Sequence, residues 1–160
     1  MPSPETTIEV RDHCLCLLAQ RAARVLARRF DDAFRPLGLT NGQFSLLMSL
    51  NRDVPPTVGA VAALLAMDRT TVTAALKPLE RRGLVEVTVD KEDRRGRRVA
   101  LTPDGRKLLG RCVPIWRRVH ADLDSILEEG GAVRLRRDLG SLASRTSSRS
   151  TPTRGPLPSS

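Results

Sequence analysis

Asp93-Arg94-Arg95-Gly96-Arg97-Arg98 packs four arginines and a carboxylate around one glycine. A guanidinium fork grips a phosphate or a guanine edge with two parallel bonds, and Asp93 can orient one fork by a charge-assisted bond. Upstream lies a second polar cluster, Arg69, Thr70, Thr71, Thr73 and Lys77. Threonine bonds a base edge or phosphate and offers its methyl to thymine, while Arg69 can pair with guanine and Lys77 with phosphate. Either cluster alone also describes a solvated surface. Their place among the folded elements decides between the two readings.

Two further groups carry reactive side chains. His13-Cys14-Leu15-Cys16 lies near the N-terminus, and Cys112 and His120 lie eight residues apart further on. On one helix, positions i, i+1 and i+3 do not converge on a metal. Eight residues is about 80° beyond two full turns, which suits no Cys–His pair and leaves His120 as a surface or interface histidine. The chain has no glycine-rich phosphate loop, no H-E-x-x-H and no G-x-S-x-G. No enzyme activity, metal or cofactor is expected.

The elements that position the arginines follow from pattern. Residues 8–36 read as one long amphipathic helix with Leu15, Leu18, Ala22, Val25, Leu26, Phe30, Ala33 and Phe34 on one stripe, ended by Pro36 and Gly38. Thr40 and Gln43 form a capping box for a second helix burying Phe44, Leu47, Met48 and Leu50. Thr57 caps a short helix over 58–66, and Asp68 caps another over 69–82 that contains Pro78 and closes on Gly83. Leu84–Val89 alternates with strand period, and a charged turn from Asp90 to Gly96 leads to a second strand, Arg97–Leu101. Thr102-Pro103-Asp104 opens a helix reaching about Leu127, bent near Pro114. A last helix covers Val133–Ala143. The fold class is therefore mainly α with a two-stranded β-wing: a winged helix-turn-helix lobe plus a helical dimerisation lobe. The arginine run becomes the wing tip, and Arg69–Lys77 the helix that enters the major groove.

Composition agrees. The 160 residues carry 27 Lys and Arg against 18 Asp and Glu, a net charge of +9, which calls for a polyanionic partner. Residues 131–160 hold six arginines against Asp138, and from Arg145 onward Ser, Thr, Pro and Arg dominate. The expectation there is a disordered basic tail over 146–160. No apolar run approaches the roughly 20 residues of a membrane span, no secretory leader is visible, and three cysteines suit a reducing cytoplasm, at the nucleoid.

Asp68 to Gly105 resembles the winged-helix core of the MarR family of bacterial transcriptional regulators. The matching residues are Leu76, Leu79, Glu80, Gly83, Leu84 and Val85 at the end of the groove-entering helix, Asp93 and Arg95 in the wing, then Leu101, Thr102 and Gly105. Gly38 to Phe44 fits as well, and the similarity covers roughly residues 8–145. The resemblance implies a homodimer formed by helices in 8–36 and 103–145, with residues 40–101 binding double-stranded DNA at a pseudo-palindromic operator. It implies a repressor released by a small ligand or an oxidant, with no membrane partner. Arg95, steadied by Asp93, becomes the minor-groove arginine. Ala19, Arg21, Ala23, Phe44, Met48 and Val113 become candidates for an effector pocket taking small aromatic or phenolic carboxylates. Cys16 matches the reactive cysteine of the family's hydroperoxide-sensing branch, with Cys112 of a partner as resolving thiol. That branch uses tyrosines to activate its cysteine, and this chain has none. A thiol-based peroxide sensor of the same fold is thus the alternative. A sequence-blind architectural DNA binder is the third reading, disfavoured because the two polar clusters are specialised rather than uniformly basic.

Overall fold

The computed structural model describes residues 1–90, 93–94 and 96–147 of the 160. The chain forms two compact units, one from Met1 to His120 and one beginning at Ala121. Helix α1 (Pro4–His13) starts at Ser3, whose hydroxyl accepts the Thr6 amide at 3.4 Å. The single helix expected over 8–36 is broken: Cys14 leaves helical geometry at ψ 105°, and α2 runs over Leu15–Phe34. No Gly or Pro marks the break. Helix α1 buries no residue, so no packing holds it in line with α2. A short 3₁₀ turn, Arg35–Leu37, then carries Pro36 and ends on Gly38 in the left-handed region, φ 65°.

Helix α3 (Asn41–Ser49) opens with the expected reciprocal box. The Gln43 amide donates to the Thr40 hydroxyl at 3.2 Å, and the Thr40 amide donates to the Gln43 side chain at 3.1 Å. Thr57 starts α4 (Val58–Leu64) by accepting the Ala60 amide at 3.1 Å. Helix α5 (Arg69–Arg81) begins after Asp68, which sits at the cap position without a side-chain capping bond. Gly83 follows at φ 67°. Strands β1 (Val85–Val89) and β2 (Arg97–Leu101) pair antiparallel, Val85 opposite Leu101 and Val87 opposite Val99.

Thr102 fastens the next junction twice. Its hydroxyl donates to the Gly83 carbonyl at 2.6 Å and accepts the Gly105 amide at 3.0 Å, starting α6 (Pro103–Asp124). The fully buried side chains Phe34, Leu47, Leu50, Val61, Val72, Leu79 and Val99 come from α2 through β2 and form the core of a winged helix. The N-terminal part of the α2 stripe stays outside that core. Leu15 is 69 % exposed and Val25 55 %, against 6 % for Phe30.

In the second unit, Gly130 (φ 72°) turns the chain into α7 (Gly131–Ser147), which outruns the Val133–Ala143 expected and enters the stretch read as tail. The rest of that tail, 148–160, lies outside the described residues. Leu135, Leu139 and Leu142 line one side of α7 and are all exposed. Among the described residues no single helix is long and apolar enough to cross a membrane.

Candidate nucleic-acid interface and apolar cavity

Helices α4 and α5 turn through 107° about a four-residue link, the geometry of a helix-turn-helix. The link passes through Ala66 at φ 51°, a left-handed conformation that costs any side-chain-bearing residue some strain. Val72, Leu76 and Leu79 anchor α5 inward. At about 100° per residue, the face opposite them holds Thr70, Ala74, Lys77 and Arg81. All four are exposed.

This arrangement sorts the expected groove residues. Thr70 and Lys77 are central. Arg69 and Thr73 sit on one shoulder and Thr71 on the other. The Thr73 hydroxyl donates to the Arg69 carbonyl at 2.8 Å, so only its lone pairs and methyl remain for an outside partner. Arg69 folds across α4, and a Cβ at Gly59 would come within 3.0 Å of its guanidinium. Ala74 and Arg81 belong to the outward face and were missed by the sequence reading, although the helical period alone selects them.

At the wing, Arg94 and Arg97 are exposed. Arg97 curls over the tip, donating to the carbonyls of Arg94 (3.3 Å) and Gly96 (3.1 Å). Asp93 accepts the Gly96 amide on its backbone carbonyl at 2.8 Å. Arg95 lies outside the described residues, and with it the Asp93–Arg95 pairing. Arg98 differs from its neighbours because it is tied inward, to Pro55 and Asp90.

Between α3, the end of α4 and α6 lies a cavity of about 440 Å³. Phe44, Ser45, Met48 and Ser49 line it from α3, Leu64 and Leu65 from the end of α4, and Val113, Trp116 and Arg117 from α6. Its wall is apolar apart from two serines and one guanidinium, and the Ser49 hydroxyl is already spent on the Leu46 carbonyl at 2.6 Å. An aromatic row runs from one wall round to the other. Trp116 meets His120 (4.3 Å between centroids), His120 meets Phe30 (5.0 Å), Phe30 meets Phe34 (5.9 Å) and Phe34 meets Phe44 (4.6 Å). His120, expected at a surface or interface, is thus half-buried between rings. Of the six effector-pocket residues named from sequence, Phe44, Met48 and Val113 line this cavity. Ala19, Arg21 and Ala23 do not; they are exposed on α2, because the part of that helix which packs on the core begins near Phe30.

The cysteines are spread through the fold. Cys16 is exposed on α2, with the Gln20 amide 3.2 Å from its sulfur, while Cys14 is half-buried at the helix break. Cys112 is fully buried, and burial pushes its thiol up, partly opposed by the Arg111 charge. A thiol sealed and held protonated in this way is poorly suited to attack an oxidised partner sulfur.

Comparison with known proteins places this geometry. Residues 37–96 match the sequence model of the MarR family. The organic hydroperoxide resistance transcriptional regulator of Bacillus subtilis is 30 % identical over 101 residues, 63 % of this chain and 69 % of its own length. The M. tuberculosis transcriptional regulator MosR, solved in complex with DNA, is 37 % identical with a TM-score of 0.77, covering 87 % of this chain and all of that one. CouR of Rhodococcus jostii RHA1, solved with p-coumaroyl-CoA bound, is 25 % identical with a TM-score of 0.72, covering 82 % of this chain and 93 % of its own.

Proposed function

The chain belongs to the MarR family and is a DNA-binding transcriptional regulator, and from that premise we propose that it acts as a homodimeric repressor released by a small aromatic or phenolic carboxylate. Residues 40–101 form its DNA-binding lobe. Helix α5 enters the major groove with Arg69, Thr70, Thr71, Thr73 and Lys77. The wing, with Asp93, Arg94, Arg95 and Arg97, lies over the adjoining backbone and minor groove. The observation that carries this reading is the outward face of α5, polar and basic, presented beside the wing on a buried apolar anchor.

The dimer rests on bare apolar surface. Leu15, Leu18, Val25 and Leu26 on α2, with Leu135, Leu139 and Leu142 on α7, are 38 % to 69 % exposed in a single chain. A second copy covers them by two-fold symmetry and presents two α5 helices to a pseudo-palindrome. The protein works in the cytoplasm, at the nucleoid, and binds rather than catalyses.

The ligand reading rests on the cavity. About 440 Å³ accommodates an aromatic acid, its ring against Trp116 and Phe44 and its carboxylate paired with Arg117. A relative that holds p-coumaroyl-CoA supports an aromatic acyl ligand class. The test combines sedimentation, selection of duplexes from random sequence, and titration of the selected complex with aromatic acids. A stable monomer would refute the dimer, binding of random fragments as tightly as any selected duplex would leave an architectural protein, and acids that never lower affinity would remove the effector.

One observation favours a second reading, peroxide sensing. Cys16 is solvent-open at the position where the sequence resembles the hydroperoxide-sensing branch. That reading rests on Cys16 alone, since Cys112 is sealed. Peroxide releasing the wild type but not Cys16→Ser from its duplex would establish it; equal behaviour would refute it.

A further inference from the structure

We infer that Arg98 is a positioning residue which, through buried Asp90, clamps the wing to the segment leading into α4 and so sets the wing's place beside α5. The inference rests on the reading that α5 and the wing meet DNA together. Arg98 Nη1 donates to the Pro55 carbonyl at 3.0 Å, and Nη2 lies 3.0 Å from Asp90 Oδ2. The Asp90 side chain is 7 % exposed and that of Arg98 31 %. One guanidinium thereby joins the end of the wing loop to a residue 43 positions earlier in the chain.

Backbone bonds run alongside. The Val99 amide donates to the Pro56 carbonyl at 3.0 Å, Thr57 and Arg98 form an isolated antiparallel bridge, and the Asp90 amide donates to the Gly96 carbonyl at 3.1 Å. Thr57 is also the residue that starts α4. The wing base, the Pro55–Thr57 segment and the first helix of the helix-turn-helix are thus one connected piece.

The clamp has a physical purpose. A two-stranded ribbon is marginal by itself and swings about its base. A swinging wing must be ordered when DNA is bound, and that ordering is subtracted from affinity. Charge and clamp predict opposite signs for Asp90. As a negative charge in a DNA-binding lobe it opposes phosphate, so its removal tightens binding if electrostatics rules. As half of the clamp, its removal weakens binding. Arg98 separates in the same way. Lysine keeps the positive charge that attracts phosphate, but it cannot hold Pro55 and Asp90 simultaneously in a fixed fork.

The test uses the full chain and a duplex that the wild type selects from random sequence. Binding of wild type, Asp90→Asn, Arg98→Lys and the double variant is measured across a salt series. The expected result is that each single variant weakens binding by about three- to tenfold. The double is no weaker than either single. The slope of affinity against salt stays that of the wild type, because no phosphate contact is lost. Circular dichroism of the same samples shows an intact fold. Asp90→Asn binding as tightly as wild type or tighter, Arg98→Lys binding like wild type, additive losses, or loss of the fold in either single variant would each overturn the inference. Failure of the wild type to select any duplex would instead overturn the reading it rests on.

Discussion

Gly105→Ala sets two rules against each other. Helix propensity alone says that alanine, as the third residue of α6, stabilises by about 1 kcal/mol. The packing says otherwise. Gly105 is buried, and a Cβ there would overlap the Leu84 carbonyl oxygen, lie 3.0 Å from the Leu84 carbonyl carbon and 3.3 Å from Leu101 Cδ2. The first two of those atoms are backbone and cannot rotate away. Opening the contact to ordinary van der Waals distance moves the start of α6 away from the start of β1 by on the order of 1 Å.

That shift falls on the bonds that close the junction. The Thr102 amide donates to the Leu84 carbonyl at 3.1 Å and the Thr102 hydroxyl to the Gly83 carbonyl at 2.6 Å. Each is worth about 1 kcal/mol, and overpacking of a rigid contact costs about 1–3 kcal/mol. After the propensity gain is subtracted, the net expectation is a loss of about 2–4 kcal/mol. Urea denaturation of the full chain measures it as a lower midpoint at unchanged slope. A variant as stable as the wild type, or more stable, would refute the close-approach argument and leave propensity in charge.

Three further predictions concern the turn, the buried thiol and the helix face. Ala66→Gly relieves the left-handed φ of 51° between α4 and α5; after the entropy cost of glycine, stability rises by about 0.5 kcal/mol, read as a higher denaturation midpoint. Burial holds the Cys112 thiol above its ordinary range, so the unfolded chain loses that proton first. Its stabilising contribution is whole below an ordinary thiol value of about 8.5 and is lost as pH rises through the folded value. The denaturation midpoint should fall more steeply above that pH in wild type than in Cys112→Ala. Lys77→Gln and Arg81→Gln should each reduce the salt slope of duplex binding by about one unit. No change in slope for Arg81→Gln would remove it from the interface.

What sequence discloses here is what is satisfied within one turn of chain. The Thr40–Gln43 box, the Thr57 cap, the Thr102 cap and left-handed Gly83 all complete their bonds three or four residues away, or within a single residue's φ, and each is found where pattern puts it. Arg98 was legible as one more basic residue in a wing. Its partner Pro55 is 43 residues distant, and no periodicity links them. Arg69 on Gly59 is the same case, since the glycine's missing Cβ has meaning only once α4 and α5 have turned through 107°.

The apolar stripe over 8–36 marks a different limit. Periodicity states that one face of a helix must leave water; it does not state what covers that face. Phe30 and Phe34 are covered by their own chain, whereas Leu15, Leu18, Val25 and Leu26 are not, although all six follow the same spacing. The effector residues divide along the same line. Phe44 and Met48 on α3 and Val113 on α6 share a cavity because both helices pack on the winged-helix core. Ala19, Arg21 and Ala23 lie on the bare stretch of α2 and do not line that cavity. If a second copy covers that stretch, the same contact that buries Leu18 and Val25 also fixes what surrounds Arg21, so dimerisation and the environment of Arg21 are a single physical question.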